Sequence, residues 1–415
     1  PAPAWCWTAE CGKRSTRRPT DFLMEQQLIY DTAQEYLTQA GIPGWLVYDY
    51  RQANPVFWLV ISASGHVTRP CYFYLPAQGE PTLLVHHVDA GKFADSGVAV
   101  SVYSSRDSML AVLRELLSGA SKIAMEYSPE NTLPRVSRVD AGTIELVRSL
   151  GPEVVSSADL MQYATHQWSP EQLADHRETA DKLGLIVNEA FAFAGEHLAE
   201  GINEFDVAEF IRDRFADQGI ASPDGPIVAV NANASDPHYE PSADRHSAIK
   251  QGDWLLIDLW AKGLAEGSVY ADITWVAYVG DSVPERQQEI FDIVIGARDA
   301  ALHYLEDAYN QGTAVLGWQA DQVAREYIGS RGYGEYFTHR LGHSIGFEVH
   351  SEAVNLDGFE THDTRRIIPG ICFSIEPGIY LPEFGVRSEI DVFMSADGPY
   401  ASSPVQHEVV LIKGG

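Results

Sequence analysis

Cysteine is scarce in this chain. Cys6, Cys11, Cys71 and Cys372 are the only four among 415 residues, and their spacing is irregular. That excludes a disulfide scaffold and fits a reducing, cytoplasmic setting. No run of 18 or more apolar residues occurs, which argues against a membrane-spanning helix. Residues 1–23 lack the apolar stretch of a secretory signal and carry Lys13, Arg14, Arg17 and Arg18 instead. Basic residues are few: 29 Lys and Arg stand against 58 Asp and Glu, a net charge of −29. A field of that sign disfavours nucleic acid and anionic membranes as partners. There is also no acidic tail, no low-complexity tract and no repeat at solenoid periods, so neither a solvating disordered segment nor a repeat array is expected.

What the sequence does contain is an ordinary globular mixture, 45% apolar and 11% aromatic, with length for two or three domains. Residues 1–23 show no patterned apolar face and read as an extension, a cloning remnant or a leader. The spacing predicts an amphipathic helix over 24–40, ended by Gly41 and Pro43. Short apolar runs read as strands at Trp45–Tyr48, Val56–Ile61, Cys71–Leu75, Thr82–Val85 and Lys122–Met125, with helices near 108–118 and 142–149. Strands alternating with helices indicate an α/β domain over 24–165. A second regime starts at Ser169-Pro170-Glu171-Gln172, a helix start with an N-cap Ser, Pro at the first position and Gln three residues after the cap. It predicts a helix to about Glu200, then helices over 204–217, 284–310 and 314–330, strands near 226–230, 253–260 and 271–279, and a strand-rich final stretch. These make a domain over 166–415.

Polar residues stand in this second domain where an inert core would not put them. Asp258 interrupts the apolar run Trp254–Trp260, and Asp272 repeats the theme in Tyr270–Trp275. Two strands joined by a hairpin would bring both carboxylates together. His343 lies between Gly342 and Gly346, Glu376 ends an apolar run before Pro377-Gly378, and Glu389 lies within Val386–Val392. One Asp in a strand is ordinarily a hydrogen-bonded structural residue. Four carboxylates in such contexts are different, because an ionised carboxylate among apolar neighbours is costly unless paired or bound to metal. Four sharing a pocket require cations, and two divalent ions would neutralise them. Oxygen ligands with one imidazole suit Mn²⁺, Co²⁺, Zn²⁺ or Fe²⁺.

These five segments, in this order, resemble the prolidase and aminopeptidase P branch of the pita-bread metallopeptidases. The resemblance covers most of 169–415. It implies an α/β N-terminal creatinase-like domain and an α+β pita-bread catalytic domain. It implies that Asp258, Asp272, His343, Glu376 and Glu389 bind two divalent ions, most naturally Mn²⁺ or Co²⁺, and that Glu376 is also the general base. His339 and His350 match family histidines that line the substrate pocket and stabilise the oxyanion or the substrate carboxylate. Arg387 matches an arginine near substrate and metal. A further pocket histidine is either His238 or His246, and the His-Tyr context favours His238. Trp260 stands where the family commonly has a small residue, and Trp275 where many members have Arg; both are expected to narrow the substrate subsite.

The implied reaction is hydrolysis of Xaa-Pro bonds in small peptides by a homodimer. The short interval between Glu376 and Glu389 favours a dipeptidase, with aminopeptidase P and a carboxypeptidase variant as alternatives. A metal-free creatinase-like amidine hydrolase and a catalytically silent binding protein on the same scaffold are disfavoured, because no ligand is missing.

Overall fold

The computed structural model describes residues 19–414, with side chains from Gln26 onward. Of the expected extension, residues 1–18 lie outside the described residues, and the first helix starts earlier than predicted, spanning Pro19–Ala40. The described residues divide into two compact units, one up to Tyr127 together with Arg138–Leu160, the other Ser128–Ser137 together with the residues from Met161 onward.

The first unit is built on a six-stranded sheet in the order Ala99–Tyr103, Thr82–His86, Cys71–Pro76, Gly44–Asp49, Lys122–Met125, Glu153–Ser156. Gly44–Asp49 runs antiparallel to Cys71–Pro76 and parallel to Lys122–Met125. Leu113, Ile144 and Val147 come from the helices Arg106–Leu116 and Ala141–Ser149 and pack with Leu46, Leu84 and Ile123 of the sheet. One predicted strand is a helix: Pro55–Val60 is α-helical, with the Asn54 side chain accepting from the Val56 N–H and Pro55 at the first position. Six apolar residues carry no period that separates strand from helix, and the cap decides.

In the second unit the capping box forms as read. Ser169 Oγ accepts from the Gln172 N–H, Gln172 Oε1 accepts from the Ser169 N–H, and the helix runs Pro170–Glu196. Its face of Leu183, Val187, Ala190 and Phe191 packs on a sheet containing Val410–Ile412, Tyr270–Val279, Trp254–Gly263 and Ile220–Ala221, with Ile227–Val230 also pairing to Trp254–Gly263. The central hairpin shows strand alternation directly. Leu255, Ile257, Leu259, Ala271, Ile273 and Ala277 point to that helix, each burying a side chain for about 1.5–3 kcal/mol where large. The even-numbered residues, Asp258 and Asp272 among them, occupy the other face. Trp275 is odd-numbered and packs with the helix-side cluster, so it does not narrow the substrate subsite.

The last stretch forms a four-stranded sheet, Ser344–Ile345, Cys372–Ile375, Ile390–Ser395 and Gly398–Ala401, and a two-stranded ribbon, Gly378–Tyr380 with Gly385–Arg387. Among the described residues no helix is long and apolar enough to cross a membrane.

Candidate active site and metal centre

Register places the first two carboxylates. Asp258 lies opposite Thr274 and Asp272 opposite Trp260, so the two acids sit diagonally on one face of the hairpin. Glu376 and Glu389 come from a break in another ladder. Ile375 pairs with Ile390, and Gly378 pairs with Arg387 in the same register, but the residues between leave the ladder. The Glu376 N–H donates instead to Leu341 O (2.8 Å) and the Glu389 N–H to Thr274 O (3.2 Å). Pro377 cannot donate, which contributes to the break. The interruption turns both glutamates toward Asp272.

His343 precedes the short strand Ser344–Ile345. Its N–H donates to Ser374 Oγ (3.0 Å), and its Nδ1 lies 3.2 Å from Ser344 O. Burial holds the imidazole well below its usual pKa, so the ring is neutral. A carbonyl only accepts, which puts the single proton on Nδ1 and leaves the Nε2 lone pair free. That nitrogen faces Glu376 Oε1 at 3.5 Å and Asp272 Oδ2 at 3.7 Å.

The site is short of cations. Burial raises Asp258, Asp272 and Glu389 above their ordinary range, and for Asp272 the charges of Glu389 and Asp258 add to it. Burial pushes Glu376 up to about 7, against the pull of Arg387. Asp258 Oδ1, Asp272 Oδ1 and Glu389 Oε1 are buried without any hydrogen-bond partner. Ligand atoms of Asp272, His343 and Glu389 lie within 4.8 Å of one another. Orphaned carboxylate oxygens around a free imidazole lone pair fit a divalent metal centre and little else.

Arg387 is the guanidinium of the cluster, 3% exposed. It donates from Nη2 to Asp258 Oδ2, from Nε to Thr274 Oγ1 (3.0 Å) and from Nη1 to the Tyr380 hydroxyl (3.1 Å). Thr274 Oγ1 donates in turn to Glu389 Oε2 (2.7 Å). Tyr380 reaches His339 Nε2 at 2.7 Å, while His339 Nδ1 lies 2.7 Å from Arg340 O. Burial holds His339 down at about 3 and His350 at about 4, so both rings are neutral. His350 packs edge-on against His343, with ring centroids 4.2 Å apart.

A single cavity of about 400 Å³ is lined by all nine residues singled out from the sequence: Asp258, Asp272, His343, Glu376, Glu389, His238, His339, His350 and Arg387. Trp260 lines it too. His246 does not; it contacts Ser242 O instead. A groove of similar volume, about 410 Å³, is lined by Glu289, Asp292, Ile293, Tyr327 and Arg331, but its carboxylates are exposed and no histidine joins them.

Sequence reasoning missed Tyr380, Thr274 and Asp391. Asp391 is fully buried and accepts the Asp272 N–H through Oδ2 (2.9 Å), fixing the backbone of that residue. Its signal was available: a second acid two residues after Glu389, inside the apolar strand Ile390–Ser395.

An enzyme of the hydrolase class, with a carboxylate-rich metal centre at the base of a small cavity, is what this fold and site define. The chain belongs to metallopeptidase family M24, whose model matches residues 178–396, more than half of it. The family is metal-dependent. Over 382 residues the chain is 26% identical to "Probable dipeptidase PepE" of Mycobacterium bovis, covering 90% of this chain and 93% of that one. It is 32% identical over 235 residues to the Xaa-Pro dipeptidase of Pyrococcus furiosus, covering 56% and 63%. Among solved structures, dipeptidase PepE from Mycobacterium ulcerans superimposes with a TM-score of 0.68 at 24% identity, covering 95% of this chain and 99% of that one. The prolidase from Pyrococcus horikoshii OT3 gives 0.58 at 23%, covering 92% and 99%. The fold is therefore an N-terminal α/β domain followed by a pita-bread catalytic domain.

Proposed function

We propose that this peptidase is an Xaa-Pro dipeptidase. The observation that carries the reading is the convergence of Asp258, Asp272, His343, Glu376 and Glu389 on one cavity, with three buried carboxylate oxygens lacking partners. These five side chains would hold two divalent ions, Mn²⁺ or Co²⁺ by their oxygen-rich donor set, with Zn²⁺ or Fe²⁺ as alternatives. When bound, the ions supply Lewis acidity to the scissile carbonyl and acidify a water. Glu376, held near 7 by burial, takes the proton of the attacking water and returns it to the leaving proline nitrogen. His350 is neutral and its ring nitrogens make no hydrogen bond among the described residues, so its N–H is available to the developing oxyanion. His339 has both nitrogens engaged, by Arg340 O and the Tyr380 hydroxyl, and positions Tyr380 and Arg387. Arg387 in turn holds Asp258. His238, at the cavity rim, is assigned to the substrate carboxylate.

A cavity of about 400 Å³ suits a dipeptide better than a long chain. Names of similar proteins, Xaa-Pro dipeptidase and dipeptidase, support the same substrate size. We also infer domains at 24–165 and 166–415, a homodimer and a cytoplasmic location. The location is supported by Cys71 and Cys372, both buried and free. The test is hydrolysis of Ala-Pro against Ala-Pro-Ala by protein reconstituted with Mn²⁺. A dipeptidase cleaves Ala-Pro at least about tenfold faster, worth about 1.4 kcal/mol in the barrier; equal or reversed rates overturn the dipeptidase reading.

A further inference from the structure

Trp260 occupies an unusual position in the hairpin. Asp272 is its partner on one side. On the other lies Gly225, two residues before Ile227, which pairs with Asp258. A Cβ on Gly225 would lie 2.6 Å from Cη2 and Cζ2 of the indole, and the φ of +68° there is a left-handed geometry that favours glycine. Gly225 thus lets the ring lean away from Asp272 and lie along the cavity wall. The far edge is pinned: Trp260 Nε1 donates to Asp224 Oδ1 at 3.1 Å. The result is a flat, half-buried aromatic face with a carboxylate at its edge, both lining the cavity.

The charges at the rim are unequal. Arg340 is paired with Glu360, 3.5 Å apart. Asp224 and Glu240 are exposed and have no cationic partner among the described residues.

We propose that the Trp260 face and the Asp224 carboxylate form a subsite for a cationic side chain, arginine or lysine, on the residue before proline. A planar guanidinium stacks on an indole and meets a carboxylate at its edge with little loss of freedom. The other end of the substrate does not fit there, because the proline ring is uncharged and its carboxylate is repelled by Asp224. The inference rests on the Xaa-Pro reading and names the substrate class within it.

The experiment compares Arg-Pro with citrulline-Pro, its uncharged isostere, as substrates of the Mn²⁺-reconstituted full chain. Calorimetric binding of free L-arginine and L-citrulline is measured alongside. Arg-Pro is expected to exceed citrulline-Pro in kcat/KM by about tenfold, the scale of one stacking and one partly exposed charge contact. Asp224→Asn keeps an oxygen to accept the Trp260 N–H and removes the charge; it should bring the ratio to within about twofold of one, and Trp260→Leu should lower it too. A ratio of one in the unaltered protein overturns the proposal. So does an equal loss on both dipeptides in Asp224→Asn, which would put Asp224 against the α-ammonium group both share. If neither dipeptide is cleaved but arginine binds more tightly than citrulline and Asp224→Asn removes the difference, the Xaa-Pro reading fails and the cationic subsite stands.

Discussion

Replacing Arg387 with Met removes the guanidinium that Asp258, Thr274 and Tyr380 share and that lies 4.0 Å from Glu376 Oε2. At an effective dielectric of 20, one charge pair at that distance is worth about 4 kcal/mol before desolvation. Breaking a buried pair by deleting one member costs about 3–5 kcal/mol, because the survivor keeps its desolvation penalty. Asp258 is 8% exposed and would be that survivor. The variant should therefore lose about 3 kcal/mol in urea unfolding of metal-free protein, with m unchanged. The direction of the metal effect follows from the same contacts. Arg387 pulls Asp258 and Glu376 down against burial, so without it both carboxyls rise and protons compete harder for the site. Metal affinity of the variant should fall more at pH 6 than at pH 8. Arg387→Lys should recover part of the stability, since an ammonium keeps the charge but not the fork. A loss under about 1 kcal/mol together with unchanged metal affinity at both pH values would refute the assignment of Arg387 as the counter-charge of the cluster.

Glu376→Gln should lower kcat for Ala-Pro by about 10²–10⁴-fold, with KM changed far less, because the amide cannot take a proton; steady-state kinetics at fixed metal loading reads this. A second effect lies in the first unit, where Glu126 is 1% exposed and accepts from Trp45 Nε1 (2.7 Å), Ser157 Oγ (3.1 Å) and Asn54 Nδ2 (3.1 Å). Burial raises it from 4.5 to about 7 despite these donors. The folded state then binds this proton more tightly than the unfolded state. Its contribution is full below pH 4.5, falls as pH rises and is gone above about 7, a change of about 3 kcal/mol. Glu126→Gln should flatten that slope, seen as a wild-type-minus-variant difference between urea midpoints at pH 5 and pH 8; parallel pH profiles would contradict it.

The catalytic half was far more legible than the first. Ser169-Pro170-Glu171-Gln172 specified its helix because the Ser169 and Gln172 side chains each accept the other's N–H and Pro170 has none to satisfy. Asp258 and Asp272 stood out because an acid in an apolar strand needs a reason, and the hairpin register supplied it. Val56–Ile61 misled because a short apolar run has no distinguishing period, and only the Asn54 cap turned it into a helix. Trp275 misled for a related reason: it adjoins Thr274 in sequence, but strand alternation sends it to the opposite face. Tyr380 was not visible, since nothing local to Gly378-Ile379-Tyr380 signals a hydroxyl shared between His339 and Arg387. Asp391 was read only as part of an apolar strand, although an acid inside such a run was the signal that marked Asp258 and Asp272.

The central claim, that the buried carboxylates and His343 form a dinuclear metal centre for peptide hydrolysis, is tested most directly by metal stoichiometry coupled to activity. Protein dialysed against a chelator should hydrolyse no Ala-Pro. Titration with Mn²⁺ should restore the reaction as two ions per chain bind, and Asp272→Asn should bind fewer and stay inactive. Chelated protein that keeps its activity, or a chain that binds no divalent ion while hydrolysing Ala-Pro, would contradict the account.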